Sequence, residues 1–258
     1  MLNQSFENKV AIITGAGTGI GFEIANQLAR QGAAVVLNDI DPNAAIKAAQ
    51  RIKTAGGKAV IVVGDSSDLE IIDQMVGAAV SEFGRLDFAV ANAGITTFGD
   101  FLNYPVEDFQ QLVNVNLQGT FFLAQKAANQ IISQEENGGR ILLMSSVTGY
   151  QYHPDLAAYA MSKAAIRMLV KSLGVELAKH GITVNGIAPG ATATERTLED
   201  ESYKETWAQL NPTGRVGTTL DIANTALFLL SKGASQITGQ TIVVDGGWTA
   251  VSPPPPTK

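Results

Sequence analysis

The chain contains no cysteine, which excludes disulfides, thiolate metal sites and cysteine nucleophiles. It has two histidines, His153 and His180, scattered along the sequence, so no catalytic metal site is expected. Positive charge is never clustered, and the formal net charge is −6. Nucleic acid and anionic membrane both reward clustered Lys and Arg, so neither is expected as a main partner. No apolar run approaches the roughly 18 residues that span a bilayer. Residues 1–8 combine neither a positive stretch nor an apolar one, so no signal peptide is read there. These absences leave a cytoplasmic protein as the expectation. The end of the chain, Ser252-Pro253-Pro254-Pro255-Pro256-Thr257-Lys258, cannot join a sheet or helix; it reads as a mobile proline-rich tail, with a docking peptide as the alternative.

What is present suits one α/β domain. With 258 residues, 45% of them hydrophobic, the chain is long enough to bury a sizeable core, and residues 1–251 read as a single domain. Short apolar, β-branched runs recur at 10–13, 34–37, 59–63, 86–90, 141–144, 182–185 and 241–244. Continuous rather than alternating apolar runs indicate parallel strands covered on both faces. Helical stretches at 20–31, 41–56, 68–83, 105–133, 156–179 and 220–230 separate most of them. Gly32 closes the first, and Asp41-Pro42 opens the second as an N-cap followed by proline. This alternation predicts a doubly wound, Rossmann-type parallel sheet of seven strands with helices on both faces. Segment 191–217 interrupts it with a long polar and acidic excursion. Such a segment in a compact domain is usually functional, and it reads as a substrate lid, a solvated helical insertion being the alternative.

The first strand runs into Thr14-Gly15-Ala16-Gly17-Thr18-Gly19-Ile20-Gly21 and then a helix, so a glycine turn lies between strand and helix. Backbone amides there can approach a pyrophosphate at the helix N-terminus, which makes Gly15, Thr18, Gly19, Ile20 and Gly21 cofactor candidates. An acid should follow about 20 residues on, and Asp39, with Ile40 beside it, stands there at the end of the second strand. Its carboxylate can accept from both adenosine ribose hydroxyls. A solvated turn aspartate is the alternative, but Asp41 is the better cap and leaves Asp39 without a structural role. The same carboxylate repels a 2′-phosphate, and no Arg or Lys occurs at 10–29 or 31–46 to compensate, so NAD is expected over NADP. Asp65 and Ser66 follow the third strand and can meet the adenine. Asn92-Ala93-Gly94 brings a small-residue turn to the carboxyl edge after the fourth strand.

Tyr159 and Lys163 stand at i and i+4 on an expected helix, so they share a face. Ser146 ends the fifth strand at the same edge. Together with the glycine turn, Asn92-Ala93-Gly94, Asn116 in Val113-Asn114-Val115-Asn116-Leu117, and Pro189-Gly190, the sequence resembles the short-chain dehydrogenase/reductase family over residues 6–248. One position departs: the family's usual Asn-Asn-Ala-Gly reads Ala91-Asn92-Ala93-Gly94 here. The resemblance implies Tyr159 as catalytic acid/base and Lys163 as the holder of the nicotinamide ribose. It implies Ser146 as the partner of the reacting oxygen and Asn116 as support for a proton-relay water. Residues 189–194 should contact the carboxamide, with Thr192 and Thr194 the expected contacts. A homotetramer through the helices at 105–133 and 156–179 is also implied. The chemistry is physically reasonable: an ammonium about 4–5 Å from a phenol, at an effective dielectric near 20, stabilises its phenolate by roughly 4 kcal/mol.

The substrate is expected to be a small-molecule alcohol or ketone, chosen by loops at 95–98, 147–153 and 191–212. Thr96, Thr148, Gln151, Tyr152, His153 and Trp207 mix hydrogen-bonding groups with aromatic faces. Such a pocket suits a polyhydroxylated ligand, and residues 167–194 look similar to sugar-oxidising members of the family; a steroid or other apolar alcohol is an alternative. His153 is expected near substrate or in a hydrogen-bonded loop, and His180, beside Gly181, at a helix end. A rival is a 3-oxoacyl-[acyl-carrier-protein] reductase using NADPH, whose acidic partner needs a basic surface. Against it, Glu195, Glu199, Asp200, Glu201 and Glu205 outnumber Arg196, Lys204 and Arg215 in the lid. A rival of another class is a non-catalytic NAD-sensing protein. The intact Asn116, Ser146, Tyr159 and Lys163 argue against it.

Overall fold

The computed structural model of the chain describes residues 6–134 and 138–251. The proline-rich stretch 252–258, expected to be mobile, lies outside the described residues, as do residues 1–5. In chain order the strands are β1 (Val10–Ile13), β2 (Ala34–Asp39), β3 (Lys58–Val63), β4 (Phe88–Ala91), β5 (Gly139–Met144), β6 (Ile182–Pro189), β7 (Thr192–Ala193), β8 (Gly217–Thr218) and β9 (Thr241–Val244). Seven of them form one sheet in the order β3-β2-β1-β4-β5-β6-β9, every pair parallel. The order runs outward from β1 in both directions, so the topological switch point falls between β1 and β4. A ligand crevice is expected outside the carboxyl ends of the strands at that point.

Successive strand residues face opposite sides. Ala11, Ile13, Val35, Leu37 and Val90 enter one core cluster, while Val10, Ile12, Ala34, Val36 and Ala89 enter the other. Burial on both faces is the reason the strands read as unbroken apolar runs. The helices are α1 (Gly19–Arg30), α2 (Pro42–Thr54), α3 (Leu69–Phe83), α4 (Val106–Val113), α5 (Thr120–Ser133), α6 (Ala157–Glu176), α7 (Tyr203–Leu210) and α8 (Thr219–Leu230). Ile24, Leu28, Ile52 and Ile222 pack α1, α2 and α8 on the first face. Ile72, Met75, Leu123, Ile131, Ile166 and Val170 pack α3, α5 and α6 on the second. Asp41 caps α2 by accepting from the Asn43 N–H, with Pro42 in the first turn, and Asp68 caps α3 through Glu70.

Three elements differ from the sequence expectation. Stretch 105–133 is not one regular helix: a π turn, Asn114–Gly119, joins α4 to α5. A Cβ at Gly119 would stand 2.7 Å from the Ser66 carbonyl oxygen, so the helix approaches the loop after β3 by lacking a side chain there. The run at 86–90 becomes strand only from Phe88, because Asp87 is an ion-pair hub. Only 2% exposed, it accepts from the Val10 N–H at 3.0 Å, from Lys9 Nζ at 2.7 Å and from Arg85 Nη2 at 2.7 Å, at the amino end of the sheet. Segment 191–217 is ordered rather than a bare excursion. It holds β7, a 3-10 turn at Thr197–Glu199 and α7, and it is anchored by the β7–β8 pair and a 3.2 Å bond from the Thr213 N–H to the Gly246 carbonyl. Among the described residues no helix is long and apolar enough to cross a membrane.

Candidate active site

The turn after β1 is shaped by close approaches. Gly15 and Gly19 have φ near +59°, where a side chain is strained. A Cβ at Gly21 would stand 2.2 Å from the Gly15 carbonyl oxygen, so only glycine lets α1 pack on its own leading turn. Asn92 braces this turn from β4: its Nδ2 donates to the Thr14 and Gly15 carbonyls at 3.0 and 3.1 Å. The Thr14 hydroxyl accepts in return from the N–H groups of Asn92 and Ala93. Thr18, exposed, precedes α1 without capping it. The first amide of the helix, Gly19 N–H, donates instead to Glu195 Oε2 at 2.9 Å.

Asp39 ends β2 as expected, but it also has a structural role that the sequence reading denied it. Its Oδ2 accepts from the Gly17 N–H at 2.8 Å and its Oδ1 from the Asp41 N–H at 3.0 Å. The carboxylate therefore fixes the glycine turn as well as standing at the sheet edge, and local sequence spacing carried no sign of that second contact. Ile40 beside it is 70% exposed. Asp65 accepts from the N–H and hydroxyl of Ser67, both at 2.8 Å, while Ser66 is buried.

Deeper in the crevice, α6 brings Tyr159 and Lys163 to the end of β5. Lys163 is 3% exposed, and its Nζ donates to the Met144 carbonyl at 3.0 Å. The same ammonium lies 5.5 Å from the centre of the Tyr159 ring. Burial pushes the Lys163 ammonium below the ordinary lysine value, and the charge of Tyr159 acts in the opposite direction. The Ser145 hydroxyl donates to the Lys163 carbonyl at 2.8 Å and ties α6 to β5. Gly94 completes the contact: a Cβ there would stand 3.2 Å from Lys163 Nζ and 3.1 Å from Asn116 Oδ1.

Asn116, fully buried in the π turn, accepts from the Ile95 N–H at 2.9 Å and donates to the Ile95 carbonyl and the Ser162 hydroxyl. Ser146 Oγ accepts from the N–H and the hydroxyl of Thr148, at 3.2 and 3.0 Å. Because Ser146 accepts both bonds, its own hydroxyl proton stays available to a further acceptor.

Two adjoining cavities meet at Ser146. One, of about 260 Å³, runs from Ile20, Asn92 and Gly94 past Tyr159 and Lys163 to Pro189, Gly190, Thr192 and Thr194. The other, of about 460 Å³, is lined by Thr96, Thr148, His153 and Leu156 and closes on Trp207 and Trp248. Thr96, Pro189, Gly190 and Arg196 line both. Of the substrate candidates, Gln151 and Tyr152 line neither; Tyr152 is 83% exposed. Sequence reasoning missed Trp248 and Ser145, and reached Arg196 and Tyr203 only as part of the 191–212 loop. Trp248, one of only two tryptophans, was the one with a visible signal.

The residues present fit a nicotinamide dinucleotide. The Lys163 ammonium has three donors and one acceptor in the structure, and the Tyr159 hydroxyl has no hydrogen-bond partner among the described residues. Both face the first cavity, where ribose hydroxyls would find donors to spare. A doubly wound sheet thus carries a glycine turn at its switch point and brings Ser146, Tyr159 and Lys163 together at its carboxyl edge.

Residues 15–249 match the family model described as enoyl-(acyl carrier protein) reductase. A short-chain dehydrogenase/reductase of Armillaria gallica is 41% identical over 251 residues, 93% of this chain and 96% of that protein. The L-rhamnose 1-dehydrogenase (NAD(P)(+)) of Sphingomonas sp. (strain SKA58) is 36% identical, covering 93% and 96% of the two chains. Among solved structures, a 7α-hydroxysteroid dehydrogenase complexed with NADH and 7-oxo glycochenodeoxycholic acid superposes with a TM-score of 0.89 at 37% identity, covering 95% and 96%. The chain belongs to the short-chain dehydrogenase/reductase family.

Proposed function

We propose that the protein is an NAD-dependent oxidoreductase of secondary alcohols and ketones, with Tyr159 as acid/base. The observation that carries this reading is the buried Lys163 ammonium beside the Tyr159 ring, with Ser146 across the same cavity. Bound nicotinamide supplies the hydride acceptor or donor at the reacting carbon. In the reducing direction Tyr159 passes its hydroxyl proton to the carbonyl oxygen, and Ser146 donates a hydrogen bond to that oxygen. Lys163 stabilises the phenolate that remains; in the oxidising direction this phenolate takes the alcohol proton. Asn116 holds Ile95 and Ser162, and the π turn carrying it interrupts the regular carbonyl ladder, which suits a relay water. Gly15 to Gly21, Asp65, Ser66, Asn92 to Gly94 and Pro189 to Thr194 would hold the dinucleotide.

Preference for NAD rests on Asp39, whose carboxylate is fixed at the end of β2. The hydroxyls of Thr96 and Thr148 beside Ser146 and the rhamnose-oxidising relative support the sugar or polyol expected from the sequence, and the aromatic side chains of the same cavity count against it. The test is spectrophotometric: NAD+ or NADP+ with alcohols, and NADH or NADPH with ketones. Turnover with NAD(H) favoured over NADP(H) supports the reading. Turnover of acyl thioesters with NADPH alone overturns its cofactor and substrate parts.

A homotetramer is part of the same reading. Its support is the apolar exposure along α4, α5 and α6, where Val106, Phe109, Phe121, Met161, Met168 and Val175 face outward. Light scattering that gives the mass of one chain at micromolar concentration would contradict it.

A further inference from the structure

Beyond Ser146 the second cavity changes character. The hydroxyls of Thr96, Thr148, Thr197 and Tyr203 line it with Ser146, but its large side chains are aromatic, Phe98, Tyr203, Trp207 and Trp248. Trp207, on α7, and Trp248, after β9, meet edge to face with ring centres 5.0 Å apart, and Tyr203 lies 6.1 Å from Trp207. Phe98, 64% exposed, and the buried Leu156 and Val147 also line the cavity. The two charged side chains of the lining, Arg196 and Asp200, both belong to exposed residues and carry opposite sign. The indole rings and the apolar side chains beside them offer few hydrogen-bonding partners to the far hydroxyls of a sugar, and a continuous surface to an apolar ring.

Trp248 is held in place. The Asp245 carboxylate accepts from the N–H groups of Gly247 and Thr249 and from the Thr249 hydroxyl, which fixes the turn that presents the indole. Segment 191–217 thus meets the C-terminal turn through the Trp207–Trp248 contact as well as the Thr213–Gly246 backbone bond.

We propose that the substrate is a ring-bearing, largely apolar ketone or secondary alcohol, with its rings against Trp207 and Trp248 and its oxygen at Ser146 and Tyr159. This rests on the redox reading of the site and names its substrate class. Trp207 and Trp248 are specificity residues: they meet the substrate's apolar body and take no part in the proton transfer.

The chain's two tryptophans are both in this wall, so its whole tryptophan emission reports on the cavity. The test titrates the protein, with NADH present, using trans-1-decalone, a saturated bicyclic ketone, and in parallel L-rhamnose and xylitol. Tryptophan emission excited away from the nicotinamide band and NADH consumption are both followed. A saturable emission change with decalone, absent with both polyhydroxylated compounds, is the expected result. Where decalone is turned over, Trp207→Ala and Trp248→Ala each lower kcat/KM for it about 10- to 100-fold, with KM for NADH unchanged and Trp→Phe variants retaining most activity. Decalone binding without turnover supports the pocket and overturns the redox reading. Turnover of rhamnose or xylitol with no decalone response overturns the substrate class and leaves the redox reading standing. No emission change with any compound also overturns the substrate class.

Discussion

The Lys163 ammonium sits 5.5 Å from the centre of the Tyr159 ring and bonds one acceptor, the Met144 carbonyl at 3.0 Å. A charge this deeply placed with so few partners is costly to the folded chain. Lys163→Met removes that cost and, on the proposed mechanism, the group that steadies the Tyr159 phenolate. The variant is expected to gain Tm by about 2–4 °C, the shift that about 1 kcal/mol makes in a chain of this size, and to lose turnover. The pH dependence has a definite sign. Burial lowers the lysine's proton affinity in the folded state, so between that lowered value and 10.5 the unfolded chain binds more protons. This group's contribution to stability therefore rises with pH across that window. Denaturant midpoints against pH should show a shallower rise in Lys163→Met than in the wild type.

The Asp39 carboxylate holds the Gly17 N–H at 2.8 Å and ends β2, where the proposed reading puts the adenosine ribose. Asp39→Asn keeps an acceptor for Gly17 and removes the charge that opposes a 2′-phosphate. The NAD-to-NADP ratio of kcat/KM is expected to fall at least about tenfold, which corresponds to about 1.4 kcal/mol. An unchanged ratio, measured with both cofactors on one substrate, would remove Asp39 from cofactor choice.

Glu195 Oε2 accepts from the Gly19 N–H, the first amide of α1. That amide is one a diphosphate would use, so cofactor and carboxylate compete for it. Glu195→Ala is expected to lower Kd for NADH about two- to fivefold, because the contact is exposed and worth little in water. Fluorescence titration of NADH binding decides the matter. Weaker binding in the variant would mean that Glu195 supports the cofactor instead.

The sheet was legible because burial on both faces leaves the same mark on every strand, an unbroken apolar run such as Val35-Val36-Leu37. Strand-end position and helix spacing put Ser146, Tyr159 and Lys163 at one edge, but it was their place in the family's whole motif set that singled them out. The bonds of Ser145 and Met144 to Lys163 that bring them together were not visible. What escaped was tertiary. The π turn at Asn114–Gly119 depends on Asn116 reaching Ile95 and on Gly119 meeting Ser66, neither of which marks the helix pattern itself. The Trp207–Trp248 contact joins α7 to the turn after the last strand, and the Glu195–Gly19 bond spans 176 positions. Asp87 read as a strand residue because its partners Lys9 and Val10 are brought to it by strand pairing.

Tyr159→Phe removes one oxygen and leaves the ring that lies beside Lys163. Nicotinamide absorbance, followed for wild type and variant with an alcohol or ketone that the wild type turns over, tests the proposed chemistry most directly. Tyr159→Phe should bind NADH with Kd within about twofold of wild type and lose at least about 100-fold in kcat. A variant that turns over at the wild-type rate would show that the proton passes through another group, and the assignment of Tyr159 as acid/base would fall.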